Sequence, residues 1–399
     1  MGHHPPVTDW ETDFDHTDDR WAADPFPLFD ELRQSCPVAH TERYGGVWLP
    51  TRHEDVASIA YDTERFTSRS IIVTEFRPPD IAPQGVAPPI SSDPPFHHGA
   101  RRLLLPAFAP QAIDKYEQST RDYCLELIEA MQGRDVVDAA VEYAQHIPVR
   151  VIAHMLGFPL EDADRFRTFV NHVIEGVSLP MDQRIVGMME LFEYLKLQIE
   201  DHLATPRDDL TSFLLNAEMD GQPIDMGHVG GTIALLLIAG IDTTWSAIGA
   251  SLWHLAGHTE DRRRIVEDPS LLPQAMEELL RAYAPVTMAR LVKEDMDWKG
   301  CPMKADEWVL LSFPSANRDP EMFENADQVV IDREVNRHSA FGLGIHRCAG
   351  SHLARMELRV ALEVWLEAFP EFSLADPAAV RWSAGQVRGP RALPIRIGA

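Results

Sequence analysis

The sequence predicts one mainly α domain with a small β portion. Three observations carry this. Apolar residues recur at i, i+3, i+4 spacing along much of the chain. Strand candidates are few and short, and no internal repeat, heptad run or low-complexity tail divides the 399 residues. The composition, 45% apolar and 25% charged, is that of a globular chain able to bury a large core.

The elements follow in order. Residues 1–20 form an acidic stretch with no basic region leading into an apolar one, so it reads as a poorly ordered extension and not as a secretory signal. "PFPLFDELRQSC" (25–36) has helical periodicity, and "GVWLPT" (46–51) reads as a strand. "EFRPPDIAPQGVAPPI" (75–90) carries five prolines and one glycine, which preclude regular helix or central strand, so it is read as an open binding loop or lid. Helices follow at 116–132, 162–177 and 185–203, the last two expected to complete the lid. "IALLLIAGI" (233–241) is about half the apolar length a bilayer requires and runs into Asp242, so it reads as a buried helix. "MDWKGCPMKADEW" (296–308) reads as two short strands turning at Lys299-Gly300, and "EWVLLSFP" (307–314) as a further strand.

Charge and cysteine usage exclude several functions. The net charge of −26 repels phosphate and anionic lipid, so neither nucleic acid nor a membrane is an expected partner. Cys36, Cys124, Cys301 and Cys348 show no CxxC spacing, which excludes a disulfide framework or structural zinc site and points to a reducing cytoplasm. There is no HExxH helix, phosphate loop or G-x-S-x-G elbow.

Chemistry concentrates in "FGLGIHRCAG" (341–350). Gly342-Leu343-Gly344 opens a dinucleotide-type pattern, but its sixth position is Arg347, so that reading fails. A buried, inert cysteine is the plain alternative. Against it, Cys348 immediately precedes the amphipathic run 349–369, where a helix N-terminus favours a thiolate. Gly342, Gly344 and Gly350 permit close approach of a flat partner, which suits one anionic sulfur on an iron held by a macrocycle. "IAGIDTTWSAIG" (238–249) clusters a glycine, Asp242, Thr243 and Thr244 inside the most apolar helix, a costly choice that reads as a site or as a hydrogen-bonded kink.

The stretch "FGLGIHRCAG" matches the Phe-Gly-x-Gly-x-His-x-Cys-x-Gly signature of the cytochrome P450 family, and residues 225–369 with the region around Asp93 resemble its bacterial soluble members. The resemblance implies a single cytochrome P450 haem domain over residues 1–399. It implies haem b (iron protoporphyrin IX) ligated by Cys348, with Phe341 shielding the sulfur and Gly342 and Gly350 lining the loop. Propionates would meet His97, Arg101, Arg290 and His346; residue 96 is Phe where relatives commonly carry an acid. Asp242 and Thr243 resemble the acid–alcohol pair that delivers protons for O–O cleavage, beside Ala239 and Gly240, whose small size leaves room for dioxygen. Glu278 and Arg281 match the buried Glu-x-x-Arg pair, with Arg333 as third member, whereas Glu260/Arg263 and Glu334/Arg337 share the spacing alone. Leu235, Ala239, Val286, Met288 and Val387 fall at substrate-pocket positions.

The function implied is a haem-thiolate monooxygenase. It would take a neutral apolar substrate and dioxygen, with electrons from a separate ferredoxin and NAD(P)H-dependent ferredoxin reductase docking near Arg102, Arg347 and Arg355. A cytoplasmic monomer is expected. The rivals are a peroxide-driven peroxygenase, disfavoured by the acid–alcohol pair, and a non-catalytic haem sensor, which has no need of that pair.

Overall fold

A computed structural model describes residues 4–75, 77, 81–174 and 181–398. It is 53% helical and 12% strand, against about 30–35% helix in an ordinary domain, so the mainly α expectation holds.

The helices that position the site are α1 (Phe26–Ser35), α2 (His53–Tyr61), α3 (Phe96–Leu104), α4 (Glu117–Met131), α5 (His146–Leu156), α6 (Ala163–Val173), α7 (Met181–Ala204), α8 (Met226–Gly257), α9 (Leu272–Ala282) and α10 (Ser351–Ala368). The predicted segments 116–132 and 185–203 appear as α4 and α7 within a few residues at each end. The predicted 162–177 helix ends at Val173, and residues 175–177 lie outside the described part.

At the centre is α8, 32 residues long, its N-terminus capped by the Asp225 carboxylate, which accepts from the His228 N–H at 2.9 Å. It packs on α5, α6, α7 and α10 around one large apolar core. It is the one helix among the described residues long and apolar enough to cross a bilayer, and 67% of its most apolar window is buried within the protein. Gly240 suits that packing, because a Cβ there would lie 3.2 Å from the Ile152 side chain of α5, closer than ordinary van der Waals contact. Its small size therefore serves a helix–helix contact and not only space beside the cavity. The Phe at position 96 also has a local partner: its ring packs 5.2 Å from His228, tying α3 to α8.

The β portion is a five-stranded sheet of β1 (Val38–Thr41), β2 (Val47–Pro50), β3 (Phe66–Thr67), β4 (Thr287–Val292) and β5 (Trp308–Ser312), in spatial order β1-β2-β5-β4-β3. Only β5 and β2 run parallel; Leu310 faces Ala289 and Phe66 faces Val292 in the antiparallel pairs. The predicted 296–308 turn is present, with Met296–Trp298 against Cys301–Met303 and positive φ at Lys299 and Gly300. A two-stranded hairpin, β6 (Arg381–Trp382) with β7 (Pro390–Ala392), lies against α8.

The expectation of a poorly ordered N-terminal extension is corrected for residues 4–20. Phe14 is 1% exposed and joins the sheet core with Trp21, Phe29 and Trp308. Arg43 holds Asp13 and Asp15 by ion pairs of 2.8 and 3.0 Å. The same segment grips the β6–β7 hairpin: Gly385 N–H donates to His16 O at 3.0 Å, and Arg388 donates to the carbonyls of Ala22 and Ala23 at 2.9 and 2.7 Å. Apolar side chains that alternate with the acidic ones carry this packing.

His16 is 3% exposed, and burial, opposed by Asp15 and assisted by His4, lowers its pKa from 6.5 to about 4. The fold holds it neutral, so stability is complete above about pH 6.5 and is lost as pH falls toward 4 and the unfolded chain takes up the proton. Between pH 7 and 4.5 the wild type should lose about 2 to 3 kcal/mol more than His16→Leu in urea denaturation.

The Pro-rich loop is docked, not open, over its described part. Thr232 Oγ1 of α8 donates to Pro88 O at 2.9 Å, and a Cβ on Gly231 would lie 2.6 Å from Val86 O. Residues 76 and 78–80 of the predicted loop lie outside the described part.

Candidate active site

The 341–350 loop is shaped by two left-handed glycines, Gly342 (φ +74°) and Gly344 (φ +69°). At Gly344 glycine is obligatory on a second count, since a Cβ would sit 2.3 Å from Ala60 O at the end of α2. Cys348 N–H donates to Phe341 O at 2.7 Å, closing the loop, and α10 starts three residues later with Gly350 as its cap. The exposed surface of Cys348 is cavity wall. Burial pushes its thiol above the ordinary value, more than the Gly350 N–H and the charges of Arg101 and Arg347 pull it down. The helix N-terminus favours a thiolate through the Gly350 N–H, and burial opposes it. A coordinated cation reverses that balance.

Behind the loop, Glu278 and Arg281 of α9 are both fully buried and meet in a two-point pair of 2.8 Å each. Arg281 also donates to the carbonyls of Asn317, Ala326 and Gln328 at 2.8, 2.8 and 2.6 Å. Arg333 Nε reaches Glu278 at 2.9 Å, joined by Asn336 and the Val330 N–H. The network continues to the loop: Asn317 Oδ1 accepts from Ser339 N–H at 2.7 Å, and Ser339 O accepts from Gly342 N–H at 2.8 Å. The Glu260/Arg263 pair of identical spacing lies in solvent.

On α8, Ala239 and Thr243 line the same cavity as Cys348, four residues apart on one helix face, and Thr243 Oγ1 donates to Ala239 O at 2.9 Å. Asp242 does not line it. Its carboxylate is 1% exposed and turns to the β6–β7 hairpin, where Arg391 holds it at 2.6 Å. The structure thus divides the predicted acid–alcohol pair between two faces of the helix.

His97, 1% exposed and not itself part of the cavity lining, has neither ring nitrogen hydrogen-bonded among the described residues, and its ring lies 4.4 Å from that of His346, which does line the cavity. His346 Nε2 is 2.9 Å from Ser68 Oγ. Arg290 is 6% exposed, with its own neighbour's carbonyl, Ala289 O, as hydrogen-bond partner at 2.8 Å. Burial, reinforced by neighbouring cations, lowers His97 to about 4 and His346 to about 2, and burial lowers Arg290 to about 10. Buried bases so arranged await an anion. Arg101 also lines the cavity and donates to Arg347 O.

The sequence matches the family Cytochrome P450 over residues 51–377. The chain belongs to the cytochrome P450 family. It is 33% identical over 377 residues to mycinamicin IV hydroxylase/epoxidase of Micromonospora griseorubida, with 92% of this chain and 94% of that one aligned. It is 33% identical over 381 residues to vitamin D(3) 25-hydroxylase of Pseudonocardia autotrophica, with 94% of each aligned. Among solved structures, a Bacillus megaterium cytochrome P450 in complex with testosterone superposes with a TM-score of 0.87 at 30% identity, covering 96% of this chain and 100% of that one. The bacillaene polyketide synthase cytochrome P450 of Bacillus subtilis gives 0.88 at 30% identity, covering 97% and 100%. Membership makes this chain an oxidoreductase of the monooxygenase class and implies a haem-thiolate cofactor and an organic substrate.

Within this cytochrome P450 the predicted pocket is partly rearranged. Leu235, Ala239, Val286 and Met288 line the cavity, but Val387 does not: it is 3% exposed and forms an antiparallel bridge with Val286. None of the described residues of α6 or α7 reaches the lining, so the lid contacts come from Pro89 and Ile90 of the Pro-rich loop. Arg355, expected as a free cation on the thiolate side, is committed to Glu277 in a two-point pair of 2.6 and 2.7 Å and lies over Phe341. Arg102 and Arg347 remain exposed. Phe108, Ile152 and Glu357 also line the wall and had no sequence signal beyond helical periodicity, Thr244 lines it from the Asp-Thr-Thr cluster, and Ser68, which meets His346, had none.

Proposed function

We propose that this cytochrome P450 oxidises a neutral, apolar organic molecule, with haem b held by Cys348 and by His97, Arg101, Arg290 and His346 at its propionates. The observation that carries this reading is the cluster of buried bases, with neither ring nitrogen of His97 hydrogen-bonded among the described residues, beside an apolar cavity lined by Cys348. Two carboxylates entering there would supply the partner His97 lacks and an ion pair for the buried Arg290. Bound haem supplies the activation of dioxygen and the transfer of one oxygen atom to the substrate. The chain's own residues do the rest. Leu235, Val286 and Met288 shape the substrate space, Thr243 offers a hydroxyl at the cavity face, and Asp242 holds the proton-relay carboxylate behind it. Glu278, Arg281 and Arg333 hold the Cys loop in register.

Electrons reach the site from a ferredoxin and its NAD(P)H-dependent reductase in the cytoplasm, docking a monomer where Arg102 and Arg347 are exposed. The apolar lining supports the substrate class, as does the testosterone bound to the Bacillus megaterium relative. The test is the absorption spectrum of the reduced carbon-monoxide complex, followed by a spin-state screen of neutral and anionic compounds. A red-shifted Soret band and spin shifts with neutral ligands are expected. An unshifted band, or tight binding confined to small carboxylates, overturns the reading.

A further inference from the structure

Among the described residues, the cavity is lined by two that carry sulfur, Cys348 and Met288. Cys348 is the proposed ligand, whereas the thioether of Met288 has so far only shaped the wall. Met288 is the second residue of β4, opposite Leu311 of β5. Strand alternation puts its side chain on the same sheet face as that of Arg290, two residues on. Both reach the cavity, Arg290 as a proposed propionate partner and Met288 with an uncoordinated sulfur. The strand therefore sets an oxidisable group on the wall of the space where oxygen is transferred.

That sulfur is held in place. Gln386, 6% exposed in the turn between β6 and β7, donates from Nε2 to Met288 Sδ at 3.4 Å and also to Ile71 O. The turn is anchored to the same wall: Thr287 N–H donates to Gln386 O at 2.9 Å, and Arg388 N–H donates to Pro285 O at 2.7 Å. Methionine is ordinarily a flexible gap-filler. Here an amide fixes its far end. A thioether has two lone pairs, and one amide hydrogen occupies one of them. The other takes up oxygen more readily than the aliphatic C–H bonds of Ile90, Leu235 and Val286, which share the wall.

We propose that Met288 is an internal oxygen acceptor: when the cavity holds no substrate, turnover converts its thioether to the sulfoxide. This rests on haem binding at Cys348, as read above. Of the two atoms of dioxygen, one ends on sulfur as S=O and the other leaves as water. Sulfur gives up one electron pair, NADH supplies two electrons, and two protons complete the water. A bound substrate screens the sulfur and takes the oxygen in its place. The sulfoxide is polar, and Gln386 stands ready to donate to its oxygen, so the altered wall suits an apolar molecule less well. Idle turnover thus marks the chain that performed it.

The test uses the holoenzyme without substrate, so no substrate need be known. It is supplied with NADH, a surrogate ferredoxin and reductase, catalase to remove free peroxide, and heavy-isotope dioxygen. Trypsin cuts after Arg281 and Arg290, and Met288 is the one sulfur-bearing residue of the peptide 282–290. Peptide 319–333 also has a single methionine, Met322, which is 39% exposed and reports oxidants loose in solution. By mass spectrometry, label at Met288 should exceed that at Met322 about tenfold or more, since proximity favours the wall residue. Fragment ions should place it on Met288 and not on Tyr283, and carbon monoxide, which competes with dioxygen, should abolish it. Equal label on the two methionines, label on Tyr283 instead, or label that survives carbon monoxide overturns the proposal. A red-shifted Soret band and steady NADH consumption without label at Met288 overturn it alone. An unshifted band removes the haem reading, and the proposal falls with it.

Discussion

Replacing Cys348 with serine should abolish the red-shifted Soret band of the reduced carbon-monoxide complex and reduce product formation to background, while leaving the polypeptide folded. The loop is closed through the main chain, from Cys348 N–H to Phe341 O, and its bends come from Gly342 and Gly344. Serine preserves all of this. What it removes is a soft, polarisable sulfur whose anion a metal cation stabilises against the desolvation that pushes the free thiol up. A serine hydroxyl ionises far less readily and donates less electron density to the metal, so the thiolate push that weakens the O–O bond is lost. Absorption spectroscopy checks the ligand, and circular dichroism of the same sample checks the fold. A variant that keeps the shifted band would show that Cys348 is not the ligand.

The second large effect concerns stability. Arg281→Ala should cost about 3–5 kcal/mol, because it takes the two-point partner from the fully buried Glu278, leaving Arg333, Asn336 and the Val330 N–H, and unpairs three main-chain carbonyls as well. Against a total of about 5–15 kcal/mol, that is enough to leave much of the protein unfolded or unable to retain haem. Arg281→Lys should rescue little, since one ammonium cannot serve the positions that the guanidinium fork reaches. Arg263→Ala removes ion pairs with Glu260 and Glu267 in solvent and should leave stability close to that of the wild type. Urea denaturation of the three variants measures the contrast. Comparable losses at 263 and 281 would refute the distinction.

That contrast also shows what the sequence could disclose. Glu278/Arg281 and Glu260/Arg263 are indistinguishable by spacing; burial separates them, and burial is decided by segments 36 to 52 residues further on. The Cys loop was legible because its information is local: glycines where φ is positive, and a cysteine just ahead of a helix. The long helices were legible because periodicity is local too. The direction of Asp242 was not. One residue along α8 turns a side chain by about 100°, and which face is wet, walled or paired depends on a hairpin 149 residues away. Val387 failed for a related reason, since it sits beside its bridge partner Val286 and outside the cavity lining. The acidic N-terminus misled because its charge count hid Phe14 and Trp21, whose burial outweighs the polar company they keep.

The stitching of residues 16–23 to the 385–388 turn has a consequence for anyone who edits this protein. His16, Ala22 and Ala23 lend their carbonyls to the hairpin that bears Arg391 and backs the substrate wall. The early residues thus behave as a remote suspension for the active centre. Trimming them to tidy an expression product, or hanging a bulky fusion on them, would loosen a wall that is distant in sequence and adjacent in space. Conversely, that stitched corner is a place where selectivity could be tuned without touching a single residue of the cavity.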